Sequence, residues 1–193
     1  MKYLVTGGAG FVGSHLVELL LSECHQVVVV DNFSTGRPEN LQHLKNNKDL
    51  SVLRLDITEF DKLLPVMKSD IDFVFHLAAL ADIVPSIVDP RSYFNSNVSG
   101  TFCVAETARL AGVKKLVYAA SSSCYGISDR YPTPETTAVS PQYPYALTKY
   151  LGEEIVLNWG KIYNLPVVSL RFLRASRLVL PWLAVPISWE IAI

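Results

Sequence analysis

A chain of 193 residues, half of them apolar and 18% charged, has the apolar content for one buried core and lies far from the composition of a disordered segment. Its formal net charge of −1, with no basic run or interleaved aromatic patch, argues against a nucleic-acid surface. Three widely spaced cysteines (Cys24, Cys103, Cys124) without a C-x-x-C, and four histidines without metal-ligand spacing, argue against a disulfide framework or a metal site.

Lys2 is followed by only a few apolar residues before a run of glycines, which suits a short buried strand better than a secretory leader, so a cytoplasmic location is expected. The first strand is expected over 3–5, and Phe11, Val12, Leu16, Leu19 and Leu20 carry helical spacing over 11–21. Four consecutive valines at 27–30, ending in Asp31, suit a strand buried on both faces of a parallel sheet. The alternation recurs: strand over 51–55, a short helix over 59–67 interrupted or kinked by Pro65, strand over 72–77, helix over 95–111, strand over 115–120. A long helix over 143–163 and a strand over 167–171 complete it.

Six strands separated by helical segments predict an α/β, doubly wound parallel sheet over 1–172, with ligands at the carboxyl ends of the strands. Two stretches, 32–40 and 126–144, are rich in loop formers. The second holds Pro132, Pro134, Pro141 and Pro144, and its length suits a binding loop. The remaining 173–193 forms an apolar tail with Trp182, Trp189, Pro181 and Pro186. It shows neither helical nor strand period and is too short and proline-broken for a membrane span.

Three motifs carry chemistry. Thr6-Gly7-Gly8-Ala9-Gly10-Phe11-Val12-Gly13 sits directly after a predicted strand and opens a predicted helix, the setting in which a glycine loop cradles a pyrophosphate. Gly7 makes the tight turn, Gly10 lets the backbone approach the phosphates, and Gly13 permits close helix–strand packing. The helix amino end then faces the phosphate charge. Asp31 ends the next strand 18 residues after Gly13, where a carboxylate accepts hydrogen bonds from an adenosine ribose and repels a 2′-phosphate, favouring NAD.

Far downstream stands Tyr145-Ala146-Leu147-Thr148-Lys149. Residues four apart on a helix share a face, so the phenol and the ammonium point at one substrate. A free phenol titrates near ~10 and is a poor base at neutral pH, and a neighbouring lysine together with a positive nicotinamide ring favours the phenolate. Finally, Ser121-Ser122-Ser123 ends the fifth predicted strand. A hydroxyl there can hydrogen-bond the reacting oxygen beside Tyr145, although a serine triplet by itself also suits a strand-end turn.

With these stretches the sequence resembles the extended short-chain dehydrogenases/reductases, in the NAD-dependent nucleotide-sugar epimerase/dehydratase group. Further matching stretches are Asp31-Asn32-Phe33-Ser34-Thr35-Gly36, Asp56-Ile57-Thr58, His76-Leu77-Ala78-Ala79, Asn97-Val98-Ser99-Gly100-Thr101 and Ser121 to Gly126, and the likeness runs from Met1 to about Phe172. The resemblance implies a Rossmann sheet that binds NAD. By it, Asp31, Asn32, Ser34 and Gly36 surround the adenosine ribose, Asp56 and Ile57 the adenine, and Leu77, Ala78 and Ala79 the cofactor cleft, with Asn97 near the active site. It makes Ser121, Tyr145 and Lys149 the catalytic set, with Tyr145 and Lys149 also touching the cofactor. The group's dehydratases carry Asp and Glu directly after the catalytic hydroxyl, where this chain has Ser122 and Ser123, so dehydration is disfavoured.

The implied reaction is C4 epimerisation of a UDP-sugar: Tyr145 removes the C4 hydroxyl proton while the C4 hydride moves to NAD, and the 4-keto sugar turns over before the hydride returns. The resemblance also implies a homodimer, paired through the helices over 95–111 and 143–163. Members of the group continue for roughly 120–150 more residues into a lobe that grips the nucleotide sugar. Where they read aromatic-Asn-Val-Tyr-Gly, this chain reads Leu173-Arg174-Ala175-Ser176-Arg177, so that lobe is expected to be largely missing and 173–193 to derive from a shifted reading frame or alternative splice. Two further readings stay open: another reaction of the same group, and a catalytically inactive NAD-binding or dimerising module.

Overall fold

The computed structural model describes residues 1–128, 130 and 132–173; residues 174–193, most of the predicted apolar tail and Arg174 with it, lie outside the described residues. Six parallel strands, β1 (Lys2–Thr6), β2 (Gln26–Asp31), β3 (Leu50–Arg54), β4 (Phe73–His76), β5 (Lys115–Ser121) and β6 (Val167–Phe172), pair in the order β3-β2-β1-β4-β5-β6. This is the doubly wound order, and the order in which strands are added reverses between β1 and β4, where a crevice opens at the strand ends. The register places Thr6 opposite Val30 on one side and His76 on the other, and His76 opposite Tyr118.

Why the valine run works is visible in the two cores. Val28 and Val30 pack with Leu4 under the helices on one face, while Val27 and Val29 pack with Val5 under those on the other. The first face is covered by α2 (Phe60–Met67), α5 (Gly100–Ala111) and α6 (Pro144–Tyr163), and the second by α1 (Phe11–Ser22). Two shorter helices, α3 (Ile83–Val88) and α4 (Pro90–Phe94), lie between β4 and α5. Among the described residues no helix is long and apolar enough to cross a membrane.

Four elements depart from expectation. Pro65 does not interrupt its helix, which runs from Phe60 through to Met67. The helix predicted to begin at 95 begins at Pro90: Asp89 accepts a hydrogen bond from Ser92 N, Pro90 takes the first turn, and the chain continues through a π-helical turn, Asn95–Ser99, into α5. The short α3 and a 3-10 helix, Pro38–Leu44, were not anticipated.

Candidate active site and dinucleotide cleft

The glycine loop closes on itself and on its neighbours. Gly7 sits at φ +70, a left-handed conformation, and a Cβ there would stand 2.7 Å from the Ala78 nitrogen. A Cβ on Gly13 would run into the Gly7 carbonyl oxygen and stand 2.8 Å from Gly8 Cα, so α1 can approach β1 only with glycine at this point. Gly10 differs: the single neighbour of its Cβ would be the Gly7 oxygen, at 3.2 Å. Gly10 is also the N-cap of α1, and no side chain caps that end. The amide hydrogens of Phe11, Val12 and Gly13 in the first turn are therefore offered outward at the positive end of the helix.

Most of the predicted cofactor residues meet in one cleft at the carboxyl ends of the strands. Gly7, Gly10, Leu77, Ala78 and Ala79 line its floor, and Asp31, Asn32, Ser34, Gly36 and Ile57 its far end. Thr35, Leu80 and Ser96 line it as well and were not singled out from the sequence. Asp56 stands one layer behind: Asn32 Nδ2 donates to its carboxylate at 2.7 Å, and Thr58 donates from both its amide and its hydroxyl. Partial burial pushes the Asp56 carboxyl up, but these three hydrogen bonds outweigh it and hold it below its ordinary value.

Asp31 is buried, and its two oxygens already accept hydrogen bonds from Ala9 N at 2.9 Å and Phe33 N at 2.8 Å. It thus ties the glycine loop to the loop after β2, a structural duty that sequence spacing did not reveal. Asn97 stands beside the cleft rather than among the residues that line it: its amide accepts from Leu80 N at 2.8 Å and donates to Leu80 O at 3.0 Å and Thr148 Oγ1 at 3.1 Å. Its side chain is spent on joining the loop after β4 to α6, and the π-helical turn aims it there.

The reacting end is built where β5 meets the start of α6. Ser121 closes β5, and its Oγ accepts from Ser123 N at 3.2 Å, capping the 3-10 turn Ser122–Tyr125. Tyr145 lies one residue beyond Pro144, in the first turn of α6, with its hydroxyl 3.5 Å from Ser121 Oγ. A separation this long is ordinary before substrate tightens the site. Tyr143 stacks at 6.5 Å from the Tyr145 ring, and Tyr93 meets it edge-on at 6.4 Å.

Lys149 is 5% exposed, and its ammonium stands 4.4 Å from the centre of the Tyr118 ring. No described residue accepts a hydrogen bond from it. The Tyr118 hydroxyl donates to the Lys149 carbonyl at 3.1 Å. Burial lowers the Lys149 ammonium to about 7, with Glu153 pulling the other way. Because this value lies below that of the unfolded chain, the folded chain binds fewer protons between about pH 7 and the ordinary lysine range, so stability rises with pH across that window. Lys149→Met should therefore stabilise the ligand-free chain at pH 6–7, by on the order of 1–2 kcal/mol. Thermal melts should show that advantage shrinking toward pH 10.

Behind this pair lies a polar string. Thr101 donates its hydroxyl proton to Asn97 O, so His76 Nε2 must donate to Thr101 Oγ1 at 3.0 Å, and Thr6 then donates to His76 Nδ1 at 2.7 Å. Burial, with the Lys149 charge adding to it, drops His76 to about 3, so it stays neutral and serves as a fixed spacer. The fit is tight at Gly152, where a Cβ would stand 2.5 Å from the Tyr118 hydroxyl and 3.0 Å from Asn97 O. Gly152→Ala should cost about 1–3 kcal/mol despite the better helix propensity of alanine, read as a lowered denaturant midpoint.

Residues 3–175 match the family described as NAD dependent epimerase/dehydratase. The chain is 42% identical over 168 residues to a UDP-glucose 4-epimerase of Mycolicibacterium smegmatis, covering 86% of this chain and 53% of that one. Its fold superposes with a TM-score of 0.83 on the UDP-glucose 4-epimerase of Brucella ovis in complex with NAD, at 34% identity over 91% of this chain and 52% of that one. It matches equally a dTDP-glucose 4,6-dehydratase of Streptomyces venezuelae solved with NAD, at a TM-score of 0.85, 30% identity, 89% of this chain and 55% of that one. The chain thus spans about half the length of the relatives it matches.

Proposed function

We propose that this chain, which belongs to the NAD dependent epimerase/dehydratase family, is the NAD-binding, sugar-oxidising part of a UDP-sugar 4-epimerase-type enzyme. The observation that carries the reading is the pairing of Tyr145 with Ser121 at 3.5 Å, beside a buried Lys149 on the same helix face, at the strand ends where the glycine-loop cleft opens.

The residues present fit a dinucleotide. Gly7 and Gly13 leave the backbone bare where a side chain would fill the loop, the uncapped amino end of α1 offers amides to a pyrophosphate, and Lys149 keeps an ammonium without an acceptor among the described residues. Asn32, Ser34 and Gly36 would receive the ribose beside Asp31, Ile57 would meet the adenine with Asp56 behind it, and Leu77, Ala78 and Ala79 would carry the rest. When bound, NAD supplies an acceptor and return donor for the hydride at the sugar C4. Tyr145 takes the proton of the C4 hydroxyl, Ser121 hydrogen-bonds the same oxygen, and Lys149 places a positive charge beside the phenol oxygen.

The fold alone does not choose between inversion and dehydration, since the dehydratase superposes as well as the epimerase. The turn after Ser121 supports inversion: by the family resemblance, Ser122 and Ser123 stand where the group's dehydratases carry Asp and Glu, and hydroxyls at those positions lack the acid and base that eliminate water. We also propose a homodimer through the outer faces of α5 and α6, where Phe102, Leu110, Leu147 and Leu157 are exposed. The three cysteines are free, in keeping with a reducing, cytoplasmic setting.

The test mixes the 193-residue chain and NAD with UDP-glucose or UDP-galactose. Interconversion of the two without net consumption of NAD supports the proposal. Retention of NAD with no inversion would instead favour a binding module, and a 4-keto-6-deoxy product would favour a dehydratase.

A further inference from the structure

Among the buried side chains of α6, Glu153 is the carboxylate that the reaction above leaves without a role. It is 4% exposed, and a carboxylate is buried at a cost unless it is paired and hydrogen-bonded. Its partners come from β6: Ser169 Oγ donates to it at 2.7 Å, and Arg171 Nε at 3.0 and 3.1 Å. Arg171 in turn lies 4.8 Å from the Tyr125 ring. Glu153 follows Lys149 by one helical turn, as Lys149 follows Tyr145, so the three share a face.

The groups around the Lys149 ammonium can be taken element by element. From β4 it meets His76, which is neutral, and from β5 Tyr118, whose phenol burial keeps protonated. On α6 it has Tyr145 and Glu153. Arg171 and Cys124 are further neighbours of Glu153, the thiol pushed up by burial. Glu153 is therefore the anion of this cluster, ion-paired with Arg171 at 3.0 Å and one helical turn from Lys149.

We infer that Glu153 is a positioning residue: pinned to β6 by Ser169 and Arg171, its carboxylate keeps Lys149 in the ammonium form, so that the proton acceptor Tyr145 has a cation beside it. The use made of that cation rests on the reaction proposed above; the charge itself does not.

The two are separable by titrating Lys149 in the ligand-free 193-residue chain, labelled with 13C-lysine, its Cε resonance assigned by loss in Lys149→Met. In Glu153→Gln the Lys149 midpoint should fall from about 7 to about 6 or lower, because an anion has been removed. A merely structural role predicts the opposite: loosened packing admits water and lets the midpoint climb toward the ordinary lysine range. Glu153→Asp should bring it back near its parent position. If Glu153→Gln does not fold, Glu153→Met, an uncharged side chain of similar length, decides with the same expected fall. An unchanged or raised midpoint in the uncharged variant that folds overturns the inference, whether or not the chain inverts a sugar.

Discussion

Tyr145→Phe should lower the rate of C4 inversion by about 10²–10⁴-fold while leaving NAD affinity within a few-fold of the parent chain. The ring loses only its hydroxyl. Its stacking on Tyr143 and edge contact with Tyr93 persist, and Ser121 keeps its bond from Ser123 N, so the site stays assembled but has nothing to receive the sugar proton. Water is a poor substitute where two aromatic rings, Tyr93 and Tyr143, flank the position. Initial rates with UDP-galactose, paired with a titration of NAD binding, check both halves of this expectation. Inversion that survives the substitution would remove Tyr145 from the chemistry and with it the mechanism.

Gly13→Ala should be the most disruptive single methyl group in the molecule. The added carbon meets backbone on every side: the Gly7 carbonyl oxygen, Gly8 Cα at 2.8 Å and Gly7 C at 2.9 Å. None of these is a side-chain end that can swing away, so α1 must lift from β1. The expected cost is about 3 kcal/mol of stability, with NAD binding weakened by about 100-fold through the displaced loop. Gly10→Ala is the control, because its Cβ would meet one atom at 3.2 Å and otherwise enter the cleft. It should melt within a few degrees of the parent yet bind NAD poorly. Equal stability of Gly13→Ala and the parent, or unaltered NAD binding by Gly10→Ala, would contradict these assignments.

What could be read from the sequence was whatever depends on local pattern. The valine run, the glycine loop and the strand ends at Asp31 and Ser121 follow from periodicity and turn chemistry, and the structure places each strand within a residue or two of expectation. The start of α4 carries a local signal, since Asp89-Pro90 is a cap followed by a first-turn proline, but the polar run after it obscured the helix, which was expected only from 95. The twelve-residue stretch containing α3 and α4 carries two prolines, Pro85 and Pro90, which hid both elements. Beyond reach were contacts between residues far apart in the chain. Tyr118 reaches Lys149 across 31 residues, Glu153 reaches Arg171 across 18, and Asn97 reaches Thr148 across 51. No spacing rule names such partners, because only the parallel pairing of β4, β5 and β6 brings them together.

The clip made by Asp31 bears on any attempt to redesign which dinucleotide the chain accepts. Exchanging this carboxylate for a small or basic residue is the obvious first step toward a phosphorylated ribose. Here that step would also release the Ala9 amide and the Phe33 amide together. Phe33 sits at φ 60, an unfavourable conformation for an aromatic residue that its bond to Asp31 helps to hold. Ala9 meanwhile anchors the same loop from its carbonyl side, through Arg37 N and the Asn40 amide. A successful redesign must therefore furnish a new acceptor for both amides before it changes the charge, which makes cofactor choice in this chain a property of two loops acting together.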